Sequence, residues 1–67
     1  MINTLKLKGR MAEKEKNYKK LASKINCSAY TLGQKVSNKA PMNLDEANIL
    51  ANELDIVDSE FKEFFLI

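Results

Sequence analysis

Residues 17–39, NYKKLASKINCSAYTLGQKVSNK, contain the pattern that decides the fold of this 67-residue chain. Apolar residues recur at helical spacing on both sides of a short polar break, with Leu21 before it and Leu32 and Val36 after it. At the break stands Asn26, a residue that adopts left-handed backbone more readily than any other except glycine. The stretch therefore predicts two short helices joined by a tight turn.

The remainder of the chain is also predicted to be helical, which makes the fold all-α with five helices. It contains only two glycines and one proline, and no alternating apolar pattern is long enough for a strand. Asn17, Ser28 and Asp58 are suited to cap helices, and Asn43 with Glu46 has the spacing of a capping box. The predicted helices run from Thr4 to Lys14, from Tyr18 to Ile25, from Ala29 to Ser37, from Leu44 to Leu54, and from Ser59 to Phe65. The first of these can be capped by Thr4 or by Asn3.

The predicted core consists of the apolar residues that share one face of each helix. A domain of this size buries roughly 60% of its unfolded surface, so this core is small. Its expected members are Leu5, Leu7, Met11, Leu21, Ala22, Ile25, Leu32, Val36, Ala47, Leu50, Ala51, Leu54, Ile56, Phe61 and either Phe64 or Phe65.

The composition excludes several classes of protein. The chain is expected to form one domain, residues 1–67, with a single cysteine and no histidine, so neither an internal disulfide nor a zinc site is expected. No apolar run approaches the ~20 residues of a membrane helix, and the N-terminal stretch does not resemble a secretion signal. We therefore expect a cytoplasmic protein without metal or cofactor, and not an enzyme.

The two halves of the chain carry opposite charge. Residues 1–39 hold ten of the eleven basic residues and two acidic ones, for a net charge of +8. Residues 40–67 hold one basic and seven acidic residues, for a net charge of −6. The basic half contains the two-helix stretch, and this coincidence favours a polyanion as partner.

The predicted helix 3 has a polar, nearly uncharged outer face. Opposite its apolar stripe lie Tyr30, Gln34 and Ser37, flanked by Thr31 and Gly33. Such a face suits the major groove of double-stranded DNA, where a glutamine amide can pair with an adenine edge, so Tyr30, Thr31, Gly33 and Gln34 are candidate base contacts. The expected phosphate contacts are Asn17, Lys19, Lys35 and Lys39.

The whole chain resembles the phage repressor/Cro-like helix-turn-helix family (XRE-type, lambda-repressor-like), and within it the small phage regulators of Gram-positive bacteria. The matching residues are Leu21-Ala22, Ile25 to Ser28, Leu32, and Ser37 to Lys39. The resemblance implies a lambda-repressor-like bundle with the helix-turn-helix at helices 2 and 3, in the cytosol of a bacterial host. It also implies that Ala29, Tyr30 and Gln34 contact bases, and that Asn17, Ser37 and Lys39 contact phosphates.

This sequence departs from the family pattern at three points. Asparagine replaces glycine at both position 26 and position 38, which is physically acceptable because asparagine tolerates the left-handed backbone expected there. Ala29 has no hydrogen-bonding side chain and could only contact a methyl group. Lys35 occupies a position that is commonly apolar in the family, with Val36 beside it.

Most members of the family bind two-fold operators as homodimers, and the resemblance implies the same for this chain. The C-terminal residues Phe64, Phe65, Leu66 and Ile67 are the candidate dimer contacts, because so small a core is not expected to bury all four. The alternative for this segment is that two of the four fill the core and the other two fray. Two alternatives remain open. The polar face of helix 3 can be an ordinary solvated surface, or the chain can be an antirepressor that binds a phage repressor protein through its acidic half.

Overall fold

The computed structural model describes residues 1–65, and it contains five helices and no strand within that range. This confirms the prediction of an all-α chain with five helices. The helices are α1 (Thr4–Glu13), α2 (Tyr18–Lys24), α3 (Ala29–Val36), α4 (Leu44–Glu53) and α5 (Asp58–Phe64).

Side-chain caps begin four of the helices where the sequence predicted them. Asn3 caps α1, the Oδ1 atom of Asn17 accepts from the backbone N–H of Lys20 at 2.8 Å, and Ser28 caps α3. At α4 the capping box is complete, because Asn43 and Glu46 each accept from the other's backbone N–H. These bonds satisfy amide groups that have no partner within the helix itself.

The predicted cap of α5 is wrong. Val57 occupies the cap position and makes no side-chain hydrogen bond, whereas Asp58 is the first helical residue. With Glu60 it adds negative charge to the first turn, which favours the positive end of the helix dipole.

A left-handed residue ends each of α1 to α4. Asn26 and Asn38 have φ angles of 56° and 64°, as the sequence predicted. Glu15 and Asp55 adopt the same conformation, with φ angles of 55° and 54°, which the sequence analysis did not predict. In each case the next backbone N–H donates to a carbonyl five residues back, as from Lys39 to Gln34 at 2.8 Å.

The core follows the predicted helix faces, with a few differences. Leu5 is wrong as a core residue, because it is 85% exposed. Ile2, which was not predicted, is buried together with both Phe64 and Phe65. Ile25 and Phe61 are only partly buried against this core.

Backbone pairing joins the two ends of the described chain. Ile2 and Phe65 form an isolated antiparallel bridge, and the N–H of Asn3 donates to the carbonyl of Phe64 at 2.8 Å. The side chain of Asn38 holds Ile2 from the other side, accepting from its N–H at 2.7 Å and donating to its carbonyl at 2.9 Å. The end of α3 is therefore tied directly to Ile2, and through Ile2 to Phe65.

Ion pairs join the basic half to the acidic half. Five of the six ion pairs in residues 1–65 connect a basic side chain before position 40 with an acidic one after it. Much of the charge asymmetry is thus compensated within the fold. The five pairs are Lys6–Glu63, Arg10–Glu60, Lys14–Asp55, Lys24–Glu53 and Lys35–Glu46.

Among the helices formed by residues 1–65, none combines the length and the apolar composition needed to cross a bilayer.

Candidate nucleic-acid interface

The outer face of α3 presents two polar side chains one turn apart. Tyr30 is 76% exposed, and Gln34 is half-buried beside it. The Nε2 atom of Gln34 donates a hydrogen bond to the hydroxyl oxygen of Tyr30 at 3.0 Å. Ala29, the first residue of the helix, is exposed as well. These three predicted base contacts lie on the surface of the chain.

The other two predicted base contacts are placed differently. Gly33 lies against the ring of Tyr18 on α2, since a Cβ atom added there would be 3.5 Å from that ring. Burial raises the pKa of the Tyr18 hydroxyl, which is consistent with a ring held between the helices. Thr31 is half-buried, and its hydroxyl accepts from the Oγ atom of Ser28 at 2.9 Å. Gly33 therefore packs against α2, and Thr31 takes part in the cap of α3.

Four of the expected phosphate contacts lie at the two ends of the α2–α3 unit. Asn17 is exposed, and its Oδ1 atom accepts the capping bond of α2. The N–H groups of its side-chain amide remain available to donate to a phosphate. Lys19 and Lys39 are exposed and have no ion partner within residues 1–65. Ser37 is half-buried at the C-terminal cap of α3.

Lys35 does not fit the expected phosphate role. Its ammonium group forms an ion pair with Glu46 on α4, and the two side chains are only 16% and 15% exposed. The hydrogen bond from Lys35 lowers the pKa of the Glu46 carboxyl. Because its charge is already compensated and largely buried, Lys35 joins α3 to α4 instead of facing a ligand.

Three further lysines without an ion partner were missed by the sequence prediction. Lys8 and Lys20 are exposed and Lys16 is half-buried, and none is paired within the described part of the chain. Lys16 and Lys20 flank the N-terminal end of α2. For Lys8 the available signal was the spacing of Lys6, Arg10 and Lys14, one helical turn apart, because these three residues form the row on α1 that pairs with the acidic half and Lys8 lies outside it.

The C-terminal aromatic residues do not provide the expected dimer contact. Phe64 and Phe65 are only 2% and 1% exposed, so both rings lie inside the core of the single chain. The N-terminal segment pairs with this end of the chain through the Ile2–Phe65 bridge and the bond from Asn3 to Phe64, which no helix pattern predicts. The other two candidates, Leu66 and Ile67, lie outside the described residues.

Within residues 1–65, no three histidine, cysteine, aspartate or glutamate side chains are grouped so that they could hold a metal ion. The polar side chains described on and beside α3 carry amide, hydroxyl and ammonium groups. Such groups suit the recognition of a polyanion with hydrogen-bonding edges.

In comparisons with known proteins, no family model, no curated protein and no solved structure matches this chain.

Proposed function

We propose that this chain is a sequence-specific, DNA-binding transcriptional regulator of the phage repressor/Cro-like type, in which α2 and α3 form the helix-turn-helix and α3 enters the major groove. The observation that carries the proposal is the Tyr30–Gln34 pair on the outer face of α3, where Tyr30 is exposed and Gln34 is half-buried beside it. A helix that offers an amide and a hydroxyl to solvent has the groups needed to contact base edges.

The lysines that are free of internal ion pairs support the same function. Lys16, Lys19 and Lys20 lie at one end of the α2–α3 unit, and Lys39 follows its other end. In a major-groove complex such flanking charges neutralise phosphates of the DNA backbone. They would supply affinity, whereas Tyr30 and Gln34 would supply base preference.

The first experiment selects duplexes from a random library with the purified chain and measures affinity for the selected duplex as salt is varied. We expect an enriched sequence and an affinity that falls steeply with salt, because each neutralised phosphate contributes about −0.9 to the slope of log K against log salt. Absence of any enriched sequence would contradict the proposal.

Two charge variants locate the phosphate contacts. Lys39→Gln and Lys62→Gln each remove one exposed lysine without an ion partner in residues 1–65, the first beside α3 and the second on α5. We expect Lys39→Gln to weaken binding evenly across sequences and to flatten the salt slope. Lys62→Gln is the matched control, and an equal effect of both variants would indicate a loss of overall charge only.

The base-contact assignment is tested with Gln34→Ala. Since the amide is the group on α3 suited to two-pronged contact with a base, its loss should relax preference at one position of the selected site. A uniform loss of affinity for every sequence would show that Gln34 does not contact a base.

The alternative is an antirepressor that binds a phage repressor protein. The observation that favours it lies on the acidic half, where Leu44, Ile49 and Val57 are 56%, 37% and 57% exposed. Such a protein would bind no duplex by itself in the selection experiment, and it would bind only together with a repressor.

We also propose that the regulator acts as a homodimer on a two-fold operator, as the resemblance implies. Sedimentation of the protein with and without the selected duplex measures the number of chains bound. One chain on a site without two-fold symmetry would contradict this part of the proposal.

A further inference from the structure

The hydrogen bond between Tyr30 and Gln34 limits what the glutamine amide can offer to a ligand. A glutamine side chain has two N–H donors on Nε2 and one carbonyl acceptor. The Tyr30 oxygen takes one of the donors, at 3.0 Å, and the two residues are one helical turn apart on the same face. What remains is one donor and one acceptor, side by side, with the nitrogen end of the amide held toward Tyr30.

This remaining pair of groups matches one purine and not the other. In the major groove adenine presents an acceptor and a donor, N7 and N6, whereas guanine presents two acceptors, N7 and O6. An amide that is free to rotate can turn its NH2 group toward either purine. An amide with one N–H already bonded can satisfy both groups of adenine but cannot direct two donors at guanine.

We propose that Tyr30 is a positioning residue that makes Gln34 selective for adenine over guanine. The inference rests on the proposed function, because it concerns the base contacted by the same side chain. It goes further because it assigns the hydroxyl of Tyr30 to orienting the Gln34 amide and not to contacting a base directly.

Both side chains can be changed without disturbing the core. Tyr30 is 76% exposed, and its hydroxyl makes one hydrogen bond, the one from Gln34, within residues 1–65. Tyr30→Phe removes this oxygen and keeps the ring and the helix. The circular dichroism spectrum and the midpoint of thermal unfolding should therefore stay unchanged in the variant.

The test uses the duplex selected by the intact chain and the base pair whose preference Gln34→Ala relaxes. Duplexes with adenine or guanine at that position are titrated with the unmodified protein, Tyr30→Phe, Gln34→Ala and the double variant at one salt concentration. Tyr18→Phe is the matched control, because it also removes a tyrosine hydroxyl, but its ring lies against Gly33 and its hydroxyl makes no hydrogen bond to Gln34 within residues 1–65.

We expect the unmodified protein to prefer adenine about tenfold, which is typical of one good amide–base pair. In Tyr30→Phe the ratio of the affinities for adenine and guanine should fall about threefold or more, because the variant lacks one neutral hydrogen bond. It should fall no further in the double variant than in Gln34→Ala alone, and Tyr18→Phe should keep the full preference.

The outcomes separate the two proposals. A protein that prefers no base at any position would overturn the proposed function and this inference with it. A protein with clear base preference that Tyr30→Phe leaves unchanged would overturn the inference alone, as would a preference for guanine at the Gln34 position. A threefold or larger loss in Tyr30→Phe that persists when Gln34 is alanine would show that Tyr30 contacts the base itself.

Discussion

Two asparagines with the same backbone conformation have different roles in this chain. Asn26 and Asn38 follow α2 and α3 with φ angles of 56° and 64°, and both relieve the steric cost that other side chains meet in that region. The side chain of Asn26 makes no hydrogen bond within residues 1–65, whereas that of Asn38 bonds to both backbone groups of Ile2. Asn38 therefore contributes tertiary contacts as well as a turn.

Glycine at each position separates these contributions, because it keeps the left-handed backbone and removes the side chain. Asn38→Gly should lower the free energy of unfolding by about 1–3 kcal/mol, the contribution of two partly buried hydrogen bonds. Asn26→Gly is the control and should change it by no more than a few tenths of a kcal/mol. Urea denaturation followed by circular dichroism measures both values, and equal values would mean that the Asn38–Ile2 bonds add nothing to stability.

At the scale of the elements, Arg10 joins three helices. Its guanidinium group donates to the carbonyls of Leu54 and Asp55 at the end of α4, both at 3.2 Å, and pairs with Glu60 on α5 at 3.4 Å. It also lies 5.1 Å from the centre of the Phe64 ring. The geometry needs a planar group with several donors, because one side chain serves the carbonyl oxygens of a helix end and a carboxylate at once.

Lysine keeps the charge of Arg10 but has no planar fork of donors. Arg10→Lys should therefore lower the free energy of unfolding by about 2 kcal/mol. Lys14→Gln breaks a neighbouring pair with Asp55 whose side chains are 38% and 73% exposed, and it should cost less than about 1 kcal/mol. Thermal unfolding of the two variants provides the comparison, and an equal cost would reduce Arg10 to an ordinary surface charge.

The contact between α3 and α4 depends on pH through Glu46. Its pKa is lowered in the folded chain from the ordinary value of 4.5, chiefly by the hydrogen bond from Lys35. A carboxyl whose folded pKa is lowered stabilises the fold above its unfolded pKa, and this stabilisation is lost as pH falls through the folded value. The pair therefore contributes fully at neutral pH and is lost in acid.

Glu46→Gln removes the titrating group and retains an oxygen for the capping box. The variant should be less stable than the unmodified chain at neutral pH, and the difference should shrink as pH falls below about 4.5. Glu63→Gln breaks an exposed pair with Lys6 and should cost less than about 1 kcal/mol at neutral pH. Urea denaturation at a series of pH values gives the comparison, and a Glu46→Gln difference independent of pH would contradict the assignment.

Across the whole molecule, lysines divide into those that hold the fold together and those that face outward. Lys35 and Lys39 lie four residues apart, yet the first pairs with Glu46 and is mostly buried, whereas the second is exposed without an ion partner in the described range. The net charge of +2 conceals this division.

Exchanging each lysine for glutamine should affect different properties. Lys35→Gln should lower the free energy of unfolding and leave the salt dependence of DNA binding unchanged, because its charge is compensated within the fold. Lys39→Gln should leave stability nearly unchanged and reduce the salt slope by about 0.9 per bound chain. Denaturation curves and titrations at several salt concentrations measure the two properties, and a smaller slope in Lys35→Gln would show that its pair with Glu46 opens on DNA.

The five helices could be predicted from the sequence, because each is specified by local features. Apolar spacing, the caps at Asn17, Ser28 and Asn43, and the turn asparagines all act within a few residues, so they can be recognised without knowing the fold. The outward position of Tyr30 follows from the same periodicity, since it lies opposite the buried Leu32 and Val36.

Which polar and aromatic groups are already bonded or buried depends on how the helices pack. Lys35 pairs with Glu46, Asn38 bonds to Ile2 across 36 positions, and the backbone of Ile2 pairs with that of Phe65. These partners lie on separate elements, and their meeting depends on how the helices pack, which no local pattern encodes. The lysines left free for a ligand could be separated from those that join the helices only when these long-range contacts were known.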